Sequence, residues 1–143
     1  MKPHFQTVGE IIITNTLFAM EESPAYAVAM KLLSKSFQGL PVLDPSGKVV
    51  GKVTEINLLK ALKSGKNLHE TTVREIMAEA PPLVNTETPL ERAVEIMEEN
   101  RLLRLPVLKD GKFIGSVSRH DLLRAWLGVW MDLDRGNYAD VIG

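Results

Sequence analysis

Leu40-Pro41-Val42-Leu43-Asp44 and, sixty-five residues further on, Leu105-Pro106-Val107-Leu108 are two copies of one apolar segment. Four apolar residues in a row, closed by a turn signal, read as a short buried strand. Pro45-Ser46-Gly47 follows the first copy and Asp110-Gly111 the second, so each strand turns back into another, Lys48–Val53 or Lys112–Val117. Working outward, the same shift of 65 lays residues 7–43 on 72–108. Thr7, Val8, Glu10 and Ile11 meet Thr72, Val73, Glu75 and Ile76, and Glu22 and Pro24 meet Glu87 and Pro89. Past the turn the first copy has one extra residue and the shift becomes 64. Gly47, Lys48, Gly51, Val53, Leu58, Leu59 and Ala61 then meet Gly111, Lys112, Gly115, Val117, Leu122, Leu123 and Ala125. Seventeen of the fifty-two positions compared are identical, which marks an internal repeat. Each half is too short to bury a core alone, so two copies of one unit are expected to pack together.

Each copy reads as helix, strand, helix, strand, strand, helix, an α+β unit. The opening helix is Val8–Ile13 or Val73–Ala78, and a short strand follows, Leu17–Met20 or Leu83–Val84. Ser23-Pro24 and Thr88-Pro89 place a capping residue before a proline at the first helical position. Those helices run to about Lys35 and Asn100. The closing helices are Glu55–Lys63 and Arg119–Trp130. The expected organisation is a first repeat over 1–63, a polar linker over 64–71, a second repeat over 72–131 and a tail over 132–143.

Composition narrows the function. The 143 residues are 45% hydrophobic and 24% charged, with a net charge of -1. Disorder and a uniformly basic nucleic-acid surface are both excluded. The absence of cysteine excludes disulfide scaffolds, thiol catalysis and cysteine-held zinc. No apolar run approaches the ~20 residues that cross a bilayer, and no signal core follows Met1, so a cytoplasmic protein is expected. His4, His69 and His120 show no metal-ligand spacing, and neither a Gly-x-Ser-x-Gly elbow nor a phosphate loop is present. We therefore expect no catalysis, no metal and no cofactor.

The repeat resembles the CBS domain, named for cystathionine beta-synthase. The resemblance rests on Leu40-Pro41-Val42-Leu43-Asp44 with Gly47 and Gly51-Lys-Val-Thr-Glu-Ile-Asn57-Leu-Leu59. In the second copy it rests on Leu105–Leu108, Asp110-Gly111 and Gly115-Ser-Val-Ser-Arg-His-Asp121-Leu-Leu123, and Val73–Met77 looks like the family's opening helix. It covers about residues 7–127. It implies two units packed through their sheets into a pseudo-twofold module, modules that pair into homodimers, and clefts between units that bind adenine nucleotides or related adenosyl ligands.

The residues at the second closing helix suit such a ligand. A helix N-terminus exposes unpaired amides and attracts phosphate. The Ser118 hydroxyl and His120 can add donors there, Gly115 leaves room for a ligand beside the strand, and Asp121 can accept both hydroxyls of a ribose. Family members use the matching serine and aspartate in this way. Ser118-x-x-Asp121 is also a capping box that needs no ligand. The resemblance draws further residues to this cleft: Ser116, Thr14 and Thr16, Phe37-Gln38-Gly39 and Arg104. Phe37 either packs on adenine or fills the core. Arg104 either holds phosphate or is a solvated charge. In the first copy Thr54 and Asn57 stand at the matching places. Asn57 lacks the carboxylate, so this second site is expected to be degenerate.

Two functions remain open at this stage. One is a regulatory, energy-sensing module that binds AMP, ADP or ATP and acts in trans on an effector protein, with S-adenosylmethionine or a dinucleotide as related ligands. The other is a ligand-free dimerisation and protein-interaction module. Trp126 and Trp130, four residues apart on the last helix, either cover the core or form a dimer seam.

Overall fold

The structure is a computed structural model and describes residues 1–129. Among the described residues there are two three-stranded sheets. In the first, β1 (Ala19–Met20) runs parallel to β2 (Gly39–Leu43), and β2 pairs antiparallel with β3 (Val49–Thr54). In the second, β4 (Val84–Asn85) runs parallel to β5 (Arg104–Lys109), which adjoins β6 (Lys112–Ser118). The repeat extends to register: Ala19 faces Val42 in one sheet, and Val84 faces Val107 in the other. Asp110 and Gly111 both take positive φ, 52° and 79°, the geometry a two-residue hairpin turn requires.

Among the described residues five α-helices accompany the sheets: α1 (Ala25–Lys35), α2 (Glu55–Lys63), α3 (Val73–Ile76), α4 (Leu90–Asn100) and α5 (Arg119–Leu127). The sequence expects a helix over Val8–Ile13, but only a 3-10 turn, Val8–Glu10, forms. The last helix ends at Leu127, where Gly128 takes a left-handed φ of 69°, rather than reaching Trp130, which lies outside the described residues. Pro24 and Pro89 are themselves the N-cap residues of α1 and α4, with no side-chain cap from Ser23 or Thr88. The exposed amides are met from elsewhere in the chain. Ala25 N donates to Thr71 O at 2.7 Å, and Leu90 N donates to Gln6 O at 3.1 Å. These are the same bond in the two copies, because Thr71 and Gln6 are 65 residues apart.

The chain divides into two compact units that exchange the openings of the sequence repeats. Met1–Thr16 joins Pro82–Lys109 and the chain from Ile114 onward, whereas Leu17–Pro81 joins Asp110–Phe113. Val8 is fully buried in one core among Leu90, Leu105, Val107 and Val117. Val73 is fully buried in the other, among Leu32, Val42 and Val53. Reciprocal capping boxes hold both openings: Thr7 with Glu10, and Thr72 with Glu75. Glu75 Oε2 accepts the Thr72 amide at 2.6 Å, which lowers the Glu75 carboxyl below its ordinary value.

Candidate functional site

The start of α5 is closed by its own side chains. Asp121 Oδ2 accepts the Ser118 amide at 2.8 Å, and Ser118 Oγ accepts the Asp121 amide at 3.0 Å. The capping reading of Ser118-x-x-Asp121 is therefore realised. Asp121 Oδ1 has no hydrogen-bond partner among the described residues and can accept from a ligand without breaking the cap.

A pocket of about 170 Å³ opens beside Asp121. Thr14, Phe5, Ile11, Ile12, Arg124, Ala125 and Val129 complete its lining. All of these residues lie in one compact unit. The N-terminal segment is fixed along α5, with His4 N donating to Trp126 O at 2.9 Å and Phe5 N to Ala125 O at 3.4 Å. It then crosses to β6, where Ser116 N donates to Asn15 O at 2.8 Å. Gly115 makes that crossing possible. A Cβ there would collide with Ile13 Cγ2 and lie 2.9 Å from Asn15 O, and its φ is +149°. The space that the sequence assigns to a ligand beside Gly115 is thus occupied by the chain's own Ile13–Asn15.

The other expected residues separate cleanly. Arg104 opens β5, half-buried, and the preceding Leu103 O accepts the Arg119 amide at 3.1 Å, which sets this strand entry against the start of α5. His120 is exposed on α5, and its Nε2 lies 3.1 Å from Arg124 Nη2. Ser116 is buried within β6, and Thr16 is exposed at the end of the N-terminal segment. Thr14, Thr16, Arg104, Ser116, Ser118, His120 and Asp121 share one compact unit. Phe37, Gln38 and Gly39 belong to the other, with Thr54 and Asn57. There Phe37 packs half-buried against the core, Gln38 O accepts the Glu55 amide at 3.0 Å, and Gly39 opens β2.

A second, shallower pocket of about 220 Å³ is lined by Asn57, Lys60, Ala61, Ser64, Lys66 and Ile76. It is the repeat of the first. Asn57, Lys60 and Ala61 correspond to Asp121, Arg124 and Ala125 at a shift of 64, and Ile76 to Ile11 at 65. Asn57 Oδ1 accepts both the amide and the hydroxyl of Thr54, each at 2.9 Å. Arg124 and Lys60 are the site residues that motif reading misses, and their alignment in the repeat was the available signal.

The CBS-domain profile matches residues 8–64 and 73–128, nearly the whole described chain. The chain belongs to the CBS-domain family. Its two CBS units are similar to CBSX3, a mitochondrial CBS domain-containing protein of Arabidopsis thaliana, at 31% identity over 76% of this chain and 55% of that protein. An uncharacterized protein of Methanopyrus kandleri is 28% identical over 82% of this chain and 61% of its own length, so the chain spans less than two thirds of both. Among solved structures, CBSX2 of Arabidopsis thaliana in complex with AMP is similar at 30% identity and a TM-score of 0.69, covering 85% of this chain and 96% of that one. Hypoxic Response Protein I, solved with two coordinated zinc ions, shares the fold at a TM-score of 0.72 and 21% identity, covering 82% of this chain and 97% of that one. Among the described residues of the CBS pair, no helix is long and apolar enough to cross a membrane, and no three His, Asp or Glu side chains form a metal-binding group.

Proposed function

We propose that this CBS pair is a regulatory module that binds an adenine nucleotide in the Asp121 pocket and signals in trans to an effector protein. The observation that carries it is that Asp121, whose Oδ1 is left out of the cap, lines a pocket with Thr14 and apolar side chains. That carboxylate suits the vicinal hydroxyls of a ribose, and the apolar walls suit a base. His120 and the N-terminus of the nine-residue α5 suit the phosphate. The AMP complex of CBSX2 supports the same ligand class. At about 170 Å³ the pocket encloses part of a mononucleotide, and the remainder extends outside it. Binding regulates only if two states of the module differ in affinity for the nucleotide. A thermal-shift series with AMP, ADP, ATP and S-adenosylmethionine tests the reading. A ligand at 100 times its Kd stabilises the fold by about 2.7 kcal/mol. No shift with any of the four would contradict it.

The second reading, an interaction module, is favoured by the outer helix faces. Met30, Leu33, Ile56, Leu59 and Leu62 are exposed on α1 and α2, Leu33 at 69%. Leu123 and Trp126 line a groove of about 300 Å³ between α4 and α5 with Val94 and Glu98. The α1–α2 pair carries four lysines and one glutamate, whereas α4 and α5 together carry four glutamates and one aspartate against three arginines. We propose a homodimer in which the α1–α2 face of one copy meets the α4–α5 face of the second, apolar on apolar and basic on acidic. Dimerisation through these faces is compatible with a nucleotide in the Asp121 pocket, whereas a ligand-free module is not.

A further inference from the structure

We propose that residues 1–5 are a strap closed by the ligand: Phe5 walls the Asp121 pocket while the strap lies on α5, so nucleotide binding and strap docking are coupled. This rests on the nucleotide reading above. At the shift of 65, residues 1–5 repeat residues 66–70, with His4 at the place of His69. Residues 66–70 follow α2 directly, across Ser64 and Gly65. Residues 1–5 meet the matching helix, α5, with no such chain link, through hydrogen bonds. The His4 amide donates to Trp126 O at 2.9 Å, the Phe5 amide to Ala125 O at 3.4 Å, and the Trp126 indole Nε1–H to Met1 O at 3.1 Å. Ala125 and Trp126 belong to the last four residues of α5, whose carbonyls find no donor within the helix. The strap therefore caps the end of α5 from outside it.

The strap is held more weakly than the chain that follows it. Beyond Phe5, Gln6 O accepts the Leu90 amide, Thr7 and Glu10 close a capping box, and Val8 is fully buried. Within the strap Met1 is 92% exposed, Lys2 and His4 are exposed, and Pro3 is buried. One of its three bonds, at 3.4 Å, is longer than an ordinary N–H···O contact. A segment with few buried groups opens locally at far less cost than the core. Phe5 stands at the junction, half-buried against the core and lining the pocket with Ile11 and Ile12. A phenyl ring there presents an apolar surface to a base. A ligand that touches Phe5 binds the docked strap better than the open one, and by linkage it raises docking by the same factor. Open and docked strap are then the two states that regulation by a nucleotide requires. Trp126 joins them to the rest of the unit: it holds the strap at two atoms and lines the groove between α4 and α5 with Met97 and Leu123.

The test is amide hydrogen exchange of the full chain, read residue by residue by NMR with and without saturating AMP, beside AMP titrations of wild type and Phe5→Ala. The His4 and Phe5 amides are expected to exchange about ten-fold more slowly with AMP, or slower still. The Gly65 amide, which donates to Leu62 O at the end of α2, is the control and should not change. Phe5→Ala should weaken AMP about five-fold or more. The exchange comparison uses wild type alone and stands even if the variant folds poorly. Unchanged exchange at His4 and Phe5 in AMP-saturated wild type overturns the proposal and keeps the nucleotide reading. So does a slowing that Gly65 shares equally, or a Phe5→Ala protein that binds AMP as tightly as wild type. Absence of AMP binding by wild type overturns both.

Discussion

Asp121 and Asn57 stand at the same place in the two CBS units and accept the amide of their own cap residue at nearly equal distance, 2.8 Å from Ser118 N and 2.9 Å from Thr54 N. The amide side chain caps as well as the carboxylate. Asp121→Asn should therefore keep its helix start, changing stability by no more than about 0.5 kcal/mol. The same variant should weaken AMP at least ten-fold, because a neutral acceptor replaces a charged one. Denaturant melts and titrations on one preparation separate the two effects. Ser118→Ala, which removes the cap itself, should cost about 1 kcal/mol.

The exchanged openings make each unit depend on a segment distant in sequence. Val8 and Val73 are both fully buried. Either Val→Ala change removes two buried methyl groups and should destabilise the protein by about 2 kcal/mol. A fragment of residues 72–129 lacks Val8 and the Gln6 carbonyl that receives Leu90 N, and it should be unfolded by circular dichroism. A cooperatively folded 72–129 fragment would show that the opening segment is dispensable.

The Thr72–Glu75 box gives the fold an acid-sensitive joint. Its hydrogen bonds to Thr72 lower the Glu75 carboxyl, so the folded value lies below the unfolded one. The stabilisation is present above the unfolded value and is lost as pH falls through the folded one. Glu75→Gln should lower Tm near neutral pH and leave the melts of the two proteins closer together in acid. A Tm difference that grows on acidification would contradict this.

Leu59 is 58% exposed in the middle of the α1–α2 apolar face. Leu59→Glu should turn the assembled protein into a monomer by light scattering and leave its melting little changed if measured at low concentration. A wild type that is already monomeric would remove the dimer from the account.

Much of this fold was legible from short-range signals. The Leu-Pro-Val-Leu runs, the Asp110-Gly111 turn and the two cap motifs are local, and their repetition at 65 and then 64 residues gave the tandem organisation. Other features were set by tertiary contact. Ser23 and Thr88 look like caps, but Thr71 and Gln6 carbonyls satisfy those helix starts from distant parts of the chain. Gly115 read as room for a ligand and is instead the crossing point of Ile13–Asn15. Arg124 was not singled out, because no local motif shows that it lines the pocket beside Asp121.

The most direct measurement of the central claim is calorimetric titration of nucleotide-stripped protein with AMP, beside Asp121→Ala. The account predicts one nucleotide per chain in the wild type and none in the variant, with Asn57→Ala still binding one. No heat from the wild type, or binding that survives loss of the Asp121 carboxylate, would contradict it.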